Sequence, residues 1–352
     1  MRRFAVLTSG GDSPGMNPAI RSVTRTAINF NLEVVGIRNG YQGLLDEEFV
    51  NLDGLSVSGK NRDAGTFLQT SRCPEFITEE GQKKGVEILR RNKIEGLIVI
   101  GGDGSLTGAR AIHRLGYPVV GMPGTIDNDI YGTEMGIGVD TALNTIIHLV
   151  DMIKATAASH RRCFVVEVMG RSSGYLALMT SISTGSQVAV IPEYRVNMER
   201  IVEGLDRRFK HNHNNSVLIV AEGVCSGAEF MTRLQACGTI KQEVRLTVLG
   251  HVQRGGVPTH FDRLLGARMG EMAVLALMNG ETGVMIGQVE GKMQLRNLED
   301  ILGKRKQLPA DAIRVARNLG MERLEGGAAT PRQLGGGRAD GDGEGADGFH
   351  GP

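Results

Sequence analysis

Two short, mostly apolar runs, Phe4–Thr8 and Glu95–Ile100, each lead into a Gly-Gly-Asp turn that opens a helical pattern. Strands this uniformly apolar suit a parallel sheet covered on both faces, and glycine makes the strand-to-helix turn tight. The rhythm repeats down the chain. Val119–Met122, Cys163–Val168, Val188–Ile191, Ser216–Ala221 and Leu246–Leu249 are further Val- and Ile-rich strand candidates. In the helical stretch Val139–Ser159, Val139, Leu143, Ile146, Ile147, Val150 and Ile153 recur at three- and four-residue spacing, with Asp140 in the first turn. The alternation predicts an α/β protein with mainly parallel sheets. In such sheets ligands bind beyond the carboxyl ends of the strands, which is where the polar glycine motifs fall here.

The chain has 352 residues, enough for two lobes, because single cores stop growing near about 250–300 residues. Lys and Arg total 40 against 39 for Asp and Glu, so no global basic field marks a nucleic-acid or membrane-surface binder. Cys73, Cys163, Cys225 and Cys237 are scattered without CxxC spacing, which argues against a zinc site and a disulfide framework and for reduced thiols in a cytoplasmic protein. The apolar run after Met1-Arg2-Arg3 is broken at Thr8–Ser9, too early for a secretory segment, and no stretch reaches the roughly 20 apolar residues of a membrane helix. Much of the glycine excess lies in residues 326–352, with acidic residues and almost no large apolar side chains. Such a segment buries too little surface to offset its ordering entropy, so 325–352 is expected to be a disordered tail and the ordered chain to end near Leu324.

Three motifs carry the chemistry of the first half. Ser9-Gly-Gly-Asp-Ser-Pro-Gly-Met-Asn17 joins a strand to a helix, and its open backbone N–H groups and the helix dipole favour an anion, although a plain tight turn reads equally well. Ile98-Val-Ile-Gly-Gly-Asp-Gly-Ser105 repeats that design with a carboxylate suited both to Mg²⁺ beside phosphates and to capping a helix. Met122-Pro-Gly-Thr-Ile-Asp-Asn-Asp129 places two carboxylates two residues apart, where one can take the proton of an attacking hydroxyl while the other supports the metal. An Asx-rich turn alone explains the third motif less well once the other two stand beside it. The second half supplies cations and sugar contacts in His160-Arg-Arg162, Val168-Met-Gly-Arg171, Ala221-Glu-Gly223 and Leu249-Gly-His-Val-Gln-Arg-Gly-Gly256.

In this order, TSGGDSPGMN, GTFLQTSRCPEF, GGDGS, PGTIDND, GVDTALNT, SHRR, EVMGR, AEG and LGHVQRGG make the chain resemble the bacterial-type ATP-dependent 6-phosphofructokinase family over roughly residues 1–320. The resemblance implies two three-layer αβα domains with the active site in the cleft between them. Residues 1–138 would form an ATP-binding domain, to which about 251–305 return, and 139–324 a fructose 6-phosphate-binding domain. It also implies a homotetramer that takes Mg²⁺ and ATP and phosphorylates the sugar 1-hydroxyl, the committed step of glycolysis. Gly11, Arg72, Cys73, Gly102, Asp103, Gly104 and Ser105 would line the ATP site, with Asp103 on the metal. Asp127 would be the base, with Thr125, Ile126 and Asp129 beside it and Arg171 on the moving phosphoryl group. Met169, Gly170 and Glu222 would contact the sugar. His251 and Arg254 would surround the 6-phosphate with a neighbouring subunit's Arg162 and Arg245, and Val252 and Gln253 would also bind substrate.

Pyrophosphate-using members of the family typically carry Asp at position 104 and Lys at position 124, whereas this chain has glycine at both. The donor expected is therefore ATP, with the pyrophosphate-dependent enzyme as the alternative and a non-catalytic sensor as a reading from another class. Arg21, Arg25 and Lys154 are candidate effector residues. Gly54, Leu55, Lys154, Gln187 and Lys210-His-Asn-His-Asn-Asn215 depart from the pattern of the regulated bacterial branch; lost guanidinium groups weaken phosphate capture, and Gln187 stands where a carboxylate could hold an effector-site metal. His211 and His213 read as an exposed loop and not as a metal pair.

Overall fold

Along the first strand, Phe4 and Val6 pack into one apolar cluster while Ala5 and Leu7 pack into another, so both faces of the sheet are covered, as its sequence requires. The structure, a computed structural model, describes residues 2–211, 215–238 and 240–321. The expected tail, Leu324 and His213 lie outside the described residues. The first lobe runs β1 (Arg3–Ser9), α1 (Met16–Asn29), β2 (Glu33–Ile37), α2 (Gly40–Leu45), β3 (Phe49–Leu52), α3 (Glu79–Arg91), β4 (Gly96–Gly101), α4 (Asp103–Arg114) and β5 (Val119–Pro123). The chain then passes into α5 (Val139–His160), β6 (Cys163–Val168), α6 (Tyr175–Thr184), β7 (Val188–Val190), α7 (Met198–Lys210), β8 (Ser216–Ala221), α8 (Gly227–Ala236) and β9 (Val244–Val248). It returns through α9 (His260–Met278), β10 (Val284–Val289), β11 (Lys292–Asn297) and α10 (Leu298–Ile301), and crosses again to α11 (Ala310–Asn318).

Two sheets result. The seven-stranded sheet has the order β11-β10-β5-β4-β1-β2-β3, parallel except for its outermost pairs, and the four-stranded sheet β7-β8-β6-β9 is parallel throughout. Each has an apolar cluster on either face, giving two three-layer αβα units. The sequence pattern marked neither β2 and β3 nor β10 and β11. β3 and β11 are outer strands with few buried side chains, so they lack the continuous apolar run that identifies an interior strand. Leu249 belongs to no strand either; β9 stops at Val248, and Gly250–Arg254 form a 3₁₀ turn.

The two lobes are joined by a helix cap supplied from outside the helix. α5 starts after Gly138, which has φ 106 and no side chain with which to cap it. Asp262, in the first turn of α9, takes that role. One carboxylate oxygen accepts from the Gly138 N–H at 2.8 Å, and the other accepts from the Thr141 N–H at 2.8 Å and the Thr141 hydroxyl at 2.5 Å. Burial pushes Asp262 up to about 6, while the three donors and the positive end of α5 favour its ionised form. Thr259 caps α9 and donates to the Asp140 carboxylate at 2.6 Å, closing the junction. Asp262→Ala strands buried donors at the start of α5, and urea unfolding should show a loss of about 3 kcal/mol, given roughly 1–3 kcal/mol per orphaned group.

Candidate active site

β1, β4 and β5 are neighbours in register, Ser9 beside Gly101 and Gly101 beside Pro123, so the loops that leave them emerge side by side. The approach is close. A Cβ on Gly101 would lie 2.4 Å from the Ser9 carbonyl oxygen, and Gly124 donates its N–H to the Gly101 carbonyl at 3.0 Å. A Cβ on Gly102 would meet Thr125 at 3.8 Å, which brings the second and third motifs into contact. Asp103 opens α4 with its side chain exposed, and Ser105 is buried beside Gly10. At Gly104 a Cβ would meet nothing within 4 Å, so the first turn of α4 faces open space.

Asp127 is 4% exposed, and its Oδ1 has no hydrogen-bond partner. Its own N–H donates to the Thr125 hydroxyl at 3.2 Å. Burial pushes the carboxyl up to about 6, aided by the charge of Asp129 and opposed by Arg254 and Arg171, with Glu222 adding to the rise. Burial raises Asp129 as well, Arg171 and Lys306 pulling it down and Asp103 pushing it up. The three aspartates from two loops therefore share one electrostatic neighbourhood with Arg171. Ile126 points away into the core of the second lobe.

The facing wall comes from the carboxyl ends of β6 and β8, paired to their last residues, Val168 and Ala221. Immediately beyond, Glu222 accepts from the Gly170 and Arg171 N–H groups at 3.2 and 2.9 Å, fixing a loop in which Arg171 has φ 50. Gly223 lies beneath that loop, where a Cβ would be 1.9 Å from the Arg171 carbonyl oxygen. Gln253, buried in the 3₁₀ turn, accepts from the Met169 N–H at 3.1 Å and donates to the Gly250 carbonyl at 2.8 Å. From the same turn Arg254 reaches across to the first lobe. It donates to the Asp12 carbonyl at 3.3 Å and lies so close to Gly11 that a Cβ there would be 1.9 Å from Nη1. His251 and Val252 are exposed on the turn.

Some residues singled out in the sequence stand elsewhere. Arg162 and Arg245 both pair with Glu243, Arg162 at 2.6 Å, at the amino ends of β6 and β9. The length of β6 separates them from the Arg171 loop by about 20 Å at roughly 3.3 Å per residue. Arg72 is exposed on a segment tied to the first loop by Thr70, which donates to the Gly10 carbonyl at 2.8 Å. Cys73 is half-buried against the first-lobe core, and burial pushes its thiol up. Arg25 donates to the Gly54 carbonyl at 2.9 Å, Arg21 is half-buried on the same helix, and Lys154 donates to the Thr184 carbonyl in the other lobe, so one chain does not assemble these three. Gln187 exchanges bonds with Val217 and Gly185 at the start of β7. Sequence reasoning missed the side chains behind the site, above all Asn128 and Lys306, whose ammonium donates to the Asn128 Oδ1 at 2.7 Å.

The phosphofructokinase family model matches residues 3–277. The chain belongs to the phosphofructokinase family. The curated ATP-dependent 6-phosphofructokinase of Bacillus pumilus is 48% identical over 319 residues, 91% of this chain and 99% of that one. That of Thermotoga neapolitana is 47% identical over 320 residues, 91% of this chain and 100% of that one. Among solved structures, phosphofructokinase from Saccharomyces cerevisiae superposes with a TM-score of 0.80 at 35% identity, covering 91% of this chain and 47% of the yeast chain, so this phosphofructokinase spans about half of that one. A pyrophosphate-dependent phosphofructokinase from Marinobacter aquaeolei has a TM-score of 0.79 at 20% identity, covering 95% of this chain and 94% of that one, a likeness of fold. The architecture expected from the motifs is thus the one this phosphofructokinase has.

Proposed function

We propose that this phosphofructokinase transfers the terminal phosphate of ATP to the 1-hydroxyl of fructose 6-phosphate. Relatives bearing that activity in their names match nine-tenths of the chain at 47–48% identity. The observation that supports the mechanism is the buried Asp127 carboxylate, with one oxygen unpartnered and the charges of Arg254 and Arg171 acting on it.

Gly11, Arg72, Cys73 and Gly102 to Ser105 line the nucleotide side. Mg²⁺ belongs with Asp103, and the residues fit it. The Asp103 carboxylate is exposed at a helix N-terminus with Asp129 near, and no group of three metal-ligating side chains occurs among the described residues. That suits an ion held by one or two carboxylates, nucleotide oxygens and water. When bound it neutralises charge on the phosphates being cleaved. Asp127 takes the proton of the sugar hydroxyl, its basicity raised by burial and by Asp129. Thr125 orients the loop, and Arg171 stabilises charge on the phosphoryl oxygens in flight. Met169, Gly170 and Glu222 contact the sugar. His251 and Arg254 receive the 6-phosphate, Val252 lies on the same turn, and the buried Gln253 holds that turn against the Met169 loop. The end of the second lobe that carries half-buried Arg162 and exposed Arg245 suits completion of that site by Arg162 and Arg245 of the partner subunit in a homotetramer. The four cysteines are free, and no helix among the described residues is long and apolar enough to cross a membrane, which supports a cytoplasmic location.

The base, the donor and the assembly can each be tested. Asp127→Ser should cut kcat by about 10²–10⁴-fold with substrate binding kept, the range for losing a general base. In the parent, kcat/KM should fall on the acid side through the Asp127 value of about 6, because the base must be ionised, and this limb should be absent from the Ser variant. Near-normal turnover by the Ser variant removes Asp127 from its role. For the donor, Gly104→Asp is the cleaner probe. Its Cβ has room, and an acid in the first turn suits α4, so the fold should hold while kcat/KM for ATP drops at least about 100-fold by repulsion of the nucleotide phosphates. A Cβ at Gly124 would press Ile100 and Met16 at 3.0 Å, so packing confounds that position. Turnover by the parent with pyrophosphate and not ATP reverses the donor assignment. Lastly, sedimentation on dilution should show sugar-phosphate binding lost as the assembly separates, and a fully active monomer rejects the shared site.

A further inference from the structure

Between α10 and α11 the chain crosses from one lobe to the other in a short strap. Leu302 packs into a core cluster of the first lobe and Leu308 against a cluster of the second. On the strap, Arg305 forms a β-bridge with Ile130 and donates to the Ser172 carbonyl at 3.4 Å, just behind the Arg171 loop. The next residue, Lys306, reaches behind the aspartate loop. Its ammonium donates to the Asn128 Oδ1 at 2.7 Å and to the Glu134 carbonyl at 2.8 Å, and lies 5.9 Å from the centre of the Tyr175 ring. Asn128, 2% exposed and at φ 50, stands between Asp127 and Asp129. Its other bonds close the same knot: Nδ2 donates to the Glu134 carbonyl at 3.1 Å, and Oδ1 also accepts from the Gly136 N–H at 3.2 Å.

No carboxylate lies within ion-pair distance of Lys306 among the described residues; Asp129 and Glu134 act on it from farther off. Burial pushes the ammonium down to about 8, so keeping a cation there opposes stability. A methionine would fill the space without that penalty, and the bonds to the loop account for the cation. We infer that Lys306 is a positioning residue for phosphoryl transfer, holding Asn128 in its left-handed conformation so that Asp127 and Asp129 face the cleft, with Arg305 bracing the Arg171 loop from the same strap. The inference rests on the kinase reading above and adds a residue that touches neither substrate.

The test compares Lys306→Met, which keeps the stem and removes the donors, with Lys306→Arg, which keeps charge and donors. A displacement of about 1 Å in a catalytic group costs up to about 100-fold, so the Met variant should lose about 10- to 100-fold in kcat with both KM values changed less than about threefold, and the Arg variant should return to within about fivefold of the parent. If the Met variant fails to fold, Lys306→Gln is measured in its place against the same criterion. A Met or Gln variant with kcat within about twofold of the parent overturns the role, as does an Arg variant no better than Met. A parent that turns over ATP and fructose 6-phosphate while the variants match it rejects Lys306 alone, whereas an inactive parent rejects the kinase reading and the inference with it.

Discussion

Parallel strands all end at the same edge of their sheet, and this one-way geometry determines where chemistry can sit in the molecule. β1, β4 and β5 deliver three loops to one edge because their hydrogen-bonding register allows no other arrangement. β6, β8 and the turn after β9 deliver the opposing wall. Close packing of the emerging loops then dictates residue type. Gly101, hard against the Ser9 carbonyl, and Gly223, hard against the Arg171 carbonyl, leave no room for a side chain. Asp103 and Arg171, far apart in sequence, thereby both act on Asp129, and Arg171 acts on Asp127 as well.

That edge was legible in the sequence because interior strands and glycine turns both leave strong local signals. Phe4–Thr8 and Glu95–Ile100 could be little else, and the aspartates that follow them are short polar residues placed where a strand must end. The outer strands were less visible. β11 carries exposed Lys292 and half-buried Gln294 and Arg296, polar side chains that resemble a loop until β10 is placed beside them. Asn128 lies inside a recognised motif whose reading rests on the two aspartates beside it; only its contacts show that it links them to the strap. Lys306 lay in Gly-Lys-Arg-Lys-Gln, where adjacent cations ordinarily mean a solvated surface. Nothing short of the crossing chain could single it out.

Arg162 and Arg245 show the opposite case. The family resemblance names them and implies their chemistry, but the fold of one chain sets them at the far end of β6, sharing Glu243. Sequence resemblance reports what a residue does in an assembly, and strand direction reports where it stands in a single copy. The two agree here only if another copy closes the distance.

The carboxylate of Asp262 has a consequence for how this architecture can be taken apart. Because α5 lacks a capping side chain of its own and takes one from α9, the second lobe excised at Gly138 would start on a helix with frayed, unsatisfied amides, however well its sheet is built. The halves are therefore not interchangeable modules. A chimera that imports one lobe from a distant relative must bring both ends of this junction, the acceptor on one helix and the small-residue entrance of the other, or find a new way to start the helix.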